Sequence, residues 1–353
     1  MGDDDYNIKG CHGTIAPQQD EAYYDDRSDA SDDMEKGRLK FPTHHLYGRE
    51  RELDLLQSIY TNMVVHRMEK DDDVGKSIWE ETVEEGGNEL EERGNISCVF
   101  LGGYSGIGKS ALVYEFIKQT EAKYKATSSS QPILYASGKY TEQSSASVPF
   151  SAITEVFDSL AAVLSDKTDE EKKGGVISQE VKTKIYEQIK QSELIGSGTE
   201  GNRVLRKTFP ALIPLLDSCE DEGMLAAMKS AMRRSSVHPS MNAIKESVCE
   251  ILSIISNVAD KPLVLFLDDW QWADDASFDM MTFLLSNPEL MRRVMFICAY
   301  RSNEIDADHS FTKLMDGAPK EYTEKMDLFS LTPDAITRFI ADSVKKEEES
   351  EEV

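Results

Sequence analysis

Residues 96–112 read Ile-Ser-Cys-Val-Phe-Leu-Gly-Gly-Tyr-Ser-Gly-Ile-Gly-Lys-Ser-Ala-Leu, an apolar run that enters a glycine-rich turn and leaves it as a helix. Few folds accept that succession. The frame Gly103-x-x-x-x-Gly108-Lys109-Ser110 inside it has the spacing of a phosphate-binding loop, the Walker A motif. Gly103, Gly106 and Gly108 let the backbone curl with its N–H groups turned inward, in conformations that a Cβ would hinder. A helix beginning at about Lys109 adds unpaired N–H groups and the positive end of its dipole. In such a loop Lys109 reaches the β- and γ-phosphates and the Ser110 hydroxyl ligates Mg2+. A random chain of this length shows the frame about once in a hundred, and the surroundings lower the odds further. Val99-Phe-Leu-Gly reads as a buried strand, and Ala111-Leu-Val-Tyr-Glu-Phe-Ile as a helix with an apolar face.

The remaining pattern alternates strands with helices. Apolar Leu53, Leu56, Ile59, Tyr60 and Met63 recur at helical spacing after Gly48. Pro132-Ile-Leu-Tyr-Ala-Ser-Gly reads as a second strand, and residues 150–164 as a helix with Ile153, Val156, Phe157, Leu160 and Val163 on one face. Further helices are expected at 178–193 and at 203–217, the latter broken or kinked by Pro210 and Pro214. A short helix over 224–232, a loop over 235–240 and a long helix over 242–258 follow. Leu263–Leu267 and Val294–Tyr300 are apolar on both faces, the mark of central parallel strands. A shorter strand is expected at Asp327–Leu331. The predicted fold is α/β, a phosphate-loop NTPase with three layers and a mostly parallel central sheet.

The charge is uneven. A net charge of −26 is concentrated at the N-terminus, over residues 69–92 and in Glu347–Glu352, and such runs are expected to be solvated and disordered. Three parts are therefore expected: a disordered acidic tail over 1–43, a phosphate-loop NTPase core over 44–330 carrying a mobile acidic insertion at 67–94, and a final segment, 331–353, that ends in an acidic tail. This charge argues against an unaided nucleic-acid surface, since phosphate contacts need Lys and Arg. Cys11, Cys98, Cys219, Cys249 and Cys298 lie far apart and read as reduced thiols. His44-His45, with no third ligand nearby, reads as loop. No run is long and apolar enough to span a membrane, and the acidic start Met-Gly-Asp-Asp-Asp-Tyr fits neither a signal peptide nor a myristoylation site. A cytoplasmic location is expected, with the nucleus left open.

A second site element narrows the chemistry. Leu263–Leu267 delivers Asp268 and Asp269 at the carboxyl end of a buried strand, the edge where open α/β sheets bind ligands. This is a Walker B pattern: Asp268 holds Mg2+, directly or through water, and Asp269 orients the attacking water. The plainer alternative makes Asp269 a helix cap. Arg301 ends the strand Val294–Tyr300 and faces the same edge, where a guanidinium can contact a γ-phosphate. Its plainer alternative is a surface pair with Glu304 or Asp306.

Taken together, Leu46-Tyr-Gly-Arg-Glu-Arg-Glu-Leu, the glycine loop, Gly138-Lys-Tyr with Val148-Pro-Phe-Ser-Ala-Ile, Leu267-Asp-Asp-Trp-Gln-Trp-Ala-Asp and Ala299-Tyr-Arg-Ser-Asn-Glu resemble one family. It is the AAA-type ATPase domain related to origin-recognition and STAND signal-transduction ATPases, as fused to sensor histidine kinases and serine/threonine kinases. The resemblance runs over roughly residues 44–343. It implies that Gly103, Tyr104, Ser105, Gly106, Ile107, Gly108, Lys109, Ser110 and Ala111 bind the phosphates of ATP. It further implies that Ser110 and Asp268 bind Mg2+, that Asp269, Lys109 and Arg301 are catalytic, and that Tyr47, Gly48 and Arg49 lie near the adenine. Trp270 and Trp272 are read as packing residues. Only the opening of the family's lid, Leu331–Asp342, is matched.

Three functions fit these features. The leading one is an ATP-binding, slowly hydrolysing switch in signalling or regulated assembly, working with a protein partner or further domains. The second is a nucleotide-binding interaction module without turnover. The third, a DNA-binding replication initiator, is disfavoured by the charge and by the lack of a winged-helix match. Adenine is preferred over guanine through the resemblance alone, and no Asn-Lys-x-Asp guanine-reading motif is present.

Overall fold

The computed structural model describes residues 46–71, 96–126, 133–143, 149–164, 179–217, 240–259 and 262–351. The expectations for the acidic tail, for His44-His45, for 72–94 of the insertion, for the helix over 224–232 and for Cys11 and Cys219 lie outside these residues. One compact unit, Pro42–Asp342, contains the entire sheet.

The elements run α1 Glu50–Asp71, β1 Cys98–Gly102, α2 Lys109–Ala126, β2 Tyr135–Lys139, α3 Ser151–Leu164, α4 Gln179–Gln191, α5 Glu200–Thr208, α6 Ile213–Asp217 and α7 Met241–Val258. They continue as β3 Leu263–Asp268, α8 Asp275–Leu285, α9 Pro288–Met291, β4 Val294–Tyr300, α10 Ser310–Gly317, β5 Thr323–Asp327 and α11 Pro333–Glu351. Short 3-10 turns cover Pro210–Leu212 and Trp270–Trp272. The five strands form one all-parallel sheet in the order β2-β3-β4-β1-β5. β1 and β4, far apart in sequence, are neighbours at the centre, with Cys98 level with Phe296 and Gly102 level with Tyr300.

The period-2 alternation of the central strands divides the core in two. Leu263, Leu265 and Leu267 of β3 face the same side as Phe296 and Cys298 of β4 and Cys98 and Phe100 of β1, packing with helices α3 to α8. Val264, Phe266, Met295, Ile297, Val99 and Leu101 face the other side, against α1 and α2. This is the reason the central strands read as unbroken apolar runs: both faces are covered by helices. Leu53, Leu56, Ile59, Tyr60 and Met63 of α1 are all buried, as their spacing requires. The described cysteines Cys98, Cys249 and Cys298 are free and buried.

The expected helix over 203–217 breaks at Pro210, giving α5, a 3-10 turn and α6, with Pro214 tolerated in the first turn of α6. One strand requires correction. The last strand is Thr323–Asp327, not Asp327–Leu331. It lies at the sheet edge, where Glu324 and Lys325 keep water contact, so its composition is polar. The apolar residues that suggested the later span have other fates: Leu328 is buried, its N–H donating to Gly102 O at 2.8 Å, and Phe329 is 75 % exposed.

Candidate functional site

The carboxyl ends of β1, β3 and β4 bring the charged residues singled out in the sequence to one edge of the sheet. β1 runs into the glycine loop. Gly106 and Gly108 adopt φ of +75° and +99°, and nothing lies within 4 Å of where a Cβ would stand on either. The loop is thus open above its backbone, and its left-handed geometry is what glycine supplies at little cost. α2 starts at Lys109, so the N–H groups of Lys109, Ser110 and Ala111 precede the first intrahelical bond, Leu112 N to Gly108 O at 2.9 Å. Tyr104 and Ser105 are exposed at the loop tip, and Ile107 is half-buried.

Lys109 is buried and folds back on the loop, donating from Nζ to Gly103 O at 2.9 Å and Tyr104 O at 3.1 Å. Burial lowers its pKa against the opposing pull of Asp268 and Asp269. Ser110 Oγ donates to Asp268 Oδ2 at 3.1 Å, joining two segments 158 residues apart. The other Asp268 oxygen, Oδ1, accepts the N–H of Asp269 at 2.9 Å. Burial, then the neighbouring Asp269 charge, raises the Asp268 pKa, with partial relief from Lys139 and from the two hydrogen bonds.

Asp269 is enclosed more completely. Its backbone is left-handed, φ 56° and ψ 46°, and its side chain caps nothing, which removes the alternative of a helix cap. Gln271 Nε2 donates to Oδ1 at 2.9 Å, Arg301 Nε pairs with Oδ1 at 3.2 Å, and Lys139 Nζ pairs with Oδ2 at 3.2 Å. Burial alone would raise its pKa, but the hydrogen bonds from Gln271 and Lys139 and the charges of Lys139 and Arg301 outweigh it, and the carboxyl is held below the ordinary value.

Arg301 makes the ion pair with Glu304 that was its plainer alternative, and a second one at the sheet edge. It meets Asp269, and Nη1 also pairs with Glu304 at 2.7 Å. Its guanidinium lies 4.5 Å from the ring centroid of Trp272, a cation–π contact, and its backbone N–H donates to Gln271 Oε1 at 3.0 Å. Trp272 therefore both packs and positions. Trp270 is fully buried among Tyr140, Phe278 and Phe311. Asp274 caps α8, accepting from Ser277 N at 3.0 Å, and accepts Phe150 N at 3.1 Å, tying the start of α3 to the same structure.

Tyr47, Gly48 and Arg49 sit between the glycine loop and the chain that follows β5. Arg49 is buried and donates from Nη2 to Ile107 O at 3.2 Å and Phe329 O at 2.6 Å. Gly48, at φ +64°, passes so close to α11 that a Cβ would stand 2.7 Å from that of Ala335. Tyr47 donates to Asp342 Oδ2 at 3.0 Å and meets the Phe339 ring edge-on.

Lys139 and Gln271 carried no role in the sequence reading. The sequence places Lys139 at the carboxyl end of an expected strand, but only the pairing of β2 with β3 sets it level with Asp268. Among the described residues no group of three or more His, Cys, Asp or Glu side chains is arranged to hold a metal, and no helix is long and apolar enough to cross a membrane.

An α/β architecture with this all-parallel sheet and a glycine loop between its central strand and a helix is that of a phosphate-loop NTPase. A family model described as AAA ATPase domain matches residues 89–297, and the chain belongs to that family. Comparison with curated proteins finds no match.

Proposed function

We propose that the protein binds ATP with Mg2+ at the glycine loop and hydrolyses it slowly, as a switch that controls a partner or an attached domain in signalling or regulated assembly. The observation that carries this reading is the convergence of Ser110, Asp268, Asp269 and Arg301, from three separate segments, beside the open glycine loop. Within the family, the likeness to STAND and origin-recognition ATPases rests on the motifs quoted above.

In this reading the N–H groups of the loop and the first turn of α2 hold the phosphate chain, from Gly103 to Ala111. Lys109 exchanges the Gly103 and Tyr104 carbonyls for phosphate oxygens, a gain for an ammonium already stripped of water. The fit to Mg2+ is supported by donor chemistry. Ser110 Oγ and Asp268 Oδ2 are hard oxygens already within 3.1 Å, and the Asp268 carboxylate is an anion that burial leaves short of a counter-charge. Two protein oxygens suit a small cation that keeps waters and takes phosphate oxygens. Bound there, Mg2+ would neutralise phosphate charge. Asp269 orients the attacking water and accepts its proton, and Arg301 turns to the γ-phosphate. Tyr47, Gly48 and Arg49 set the position of the loop beneath the base.

The test is nucleotide affinity and single-turnover hydrolysis on purified protein with Mg2+ and ATP, with Lys109→Ala as control. Tight binding with measurable hydrolysis, both lost in the variant, is expected. Absence of binding would overturn the proposal, and binding without hydrolysis would favour the non-hydrolysing module.

A further inference from the structure

The 3-10 turn Trp270–Trp272 places one amide between the ends of β3 and β4. Gln271 is buried, its Nε2 donating to Asp269 Oδ1 at 2.9 Å and its Oε1 accepting the backbone N–H of Arg301 at 3.0 Å. Both bonds run one way only. An ionised carboxylate can only accept and a backbone N–H can only donate, so the side chain between them has to offer one donor and one acceptor from a single planar group. The turn that carries it is fixed: Trp272 N donates to Asp269 O at 3.0 Å, Ala273 N donates to Trp270 O at 3.1 Å, and Trp270 is fully buried.

Oδ1 of Asp269 also pairs with Arg301 Nε at 3.2 Å. In the hydrolysis proposed above, Arg301 turns to the γ-phosphate and gives up that contact. One lone-pair direction on Oδ1 then opens to water, and the carboxylate keeps its place only if its other holders stay. Lys139, on Oδ2, is a long side chain that is 55 % exposed. Gln271 is held at both ends, and what it holds of Arg301 is the backbone, which stays when the guanidinium moves. Burial raises the Asp269 pKa, and the Gln271 bond is foremost among the contacts that outweigh it. The carboxyl thus stays ionised, as a proton acceptor must be.

We propose that Gln271 is a positioning residue for hydrolysis: it keeps the Asp269 carboxylate aligned for water, and in register with the end of β4, while Arg301 changes partner. This rests on the ATPase reading above and adds what lets its two charged groups act together. The amide neither gains nor loses a proton. Water adds to the γ-phosphorus, the bond to the β–γ bridging oxygen breaks, and the water proton passes to Asp269.

The experiment compares wild type, Gln271→Met and Gln271→Glu, each as the full chain with Mg2+ and ATP, well below its melting temperature. Kd is measured by equilibrium binding and rate by single turnover, at about pH 8 and at about pH 6. Gln271→Met keeps the length of the side chain and removes both bonds. Its rate is expected to fall at least about tenfold at both pH values, with Kd within about threefold of wild type. In Gln271→Glu the ionised carboxyl has no donor for Asp269, and burial beside a like charge favours its protonation at the lower pH. Once protonated it again offers one donor and one acceptor. Its rate relative to wild type is expected to be as low as that of Gln271→Met at about pH 8 and to recover at least about threefold at about pH 6. The charged groups around it are Asp268 and Asp269 from β3, Arg301 and Glu304 after β4, and Lys139 at the end of β2. Wild type has them all, so the ratio reports the substituted side chain. Turnover by Gln271→Met within about twofold of wild type, with ATP bound, overturns the inference, as does a Gln271→Glu ratio that is the same at both pH values. Failure of wild type to bind or to turn over ATP overturns the ATPase reading, and the inference with it, so the two failures are distinct.

Discussion

The guanidinium of Arg49, one residue before α1, donates to the carbonyl of Ile107 inside the glycine loop, 58 residues away. The same nitrogen donates to Phe329 O at 2.6 Å, and Nη1 meets Glu52 at 3.3 Å. One buried fork therefore links the entry to α1, the loop and the chain beyond β5. Arg49→Ala would leave two carbonyls without their donor, and we expect a loss of about 2–3 kcal/mol in denaturant unfolding. Nucleotide affinity should fall with it, because the loop loses its brace. Arg49→Lys, with a single point of donation in place of the fork, should recover only part of either. A variant as stable as wild type would remove the bracing role.

Gly138 tests how closely α3 approaches the sheet. A Cβ there would stand 1.9 Å from the Ala152 carbonyl oxygen, and that carbonyl belongs to the first turn of a packed helix. Gly138→Ala is expected to cost about 3 kcal/mol through overpacking. Gly106→Ala gives the contrasting case, since its Cβ would meet nothing within 4 Å but its φ is +75°. There the cost to stability should be about 1–2 kcal/mol of backbone strain, and the larger effect should fall on nucleotide binding. Thermal melts with and without Mg-ATP separate the two.

Legibility followed burial. β3 and β4 could be read because both of their faces are covered, so each is an apolar run whatever its neighbours are. Asp268, Asp269 and Arg301 were legible for the same reason, as charges placed where such runs stop. β5 was misplaced because an edge strand need not be apolar: Lys325 and Asp327 stay in water, and the residues after it carry the hydrophobicity. The pairing of Lys139 with Asp269 depends on β2 lying beside β3, a long-range fact that no local pattern carries. Arg49 is similar. Its motif was visible, but its bond to Ile107 exists only once the chain has closed on itself.

Asp274 is expected to matter for folding alone. It accepts Ser277 N at 3.0 Å, Ser277 Oγ at 2.7 Å and Phe150 N at 3.1 Å, and the last of these fixes a residue whose φ is +62°. Asp274→Ala should lose about 2 kcal/mol, the sum expected for an N-cap and one further charge-assisted bond. Asp274→Asn should lose less. Neither should change the Kd for nucleotide in the folded protein, as measured by titration below the melting temperature. A Kd shift in the asparagine variant would mean that Asp274 acts on the site.

Asp268 should show the opposite balance, a group that costs stability and serves binding. Burial and the adjacent Asp269 charge raise its pKa, so the folded protein binds this proton more tightly than the unfolded chain does. The charged form at neutral pH is therefore a liability to the fold, and stability attributable to this group rises as pH falls through the raised pKa. Asp268→Asn imitates the neutral form: its Oδ1 still accepts the Asp269 N–H, and its NH2 group, in place of Oδ2, donates to a Ser110 hydroxyl turned to accept. Without nucleotide the variant should melt at a higher temperature than wild type at pH 7. That advantage should shrink on acidification and vanish below about pH 4, where the carboxyl is neutral in both states. With Mg-ATP the order should reverse, because wild type alone gains the cation-dependent share of binding energy. A lower melting temperature for Asp268→Asn at pH 7 without nucleotide would show that the Ser110 and Asp269 bonds, rather than the buried charge, dominate at this position.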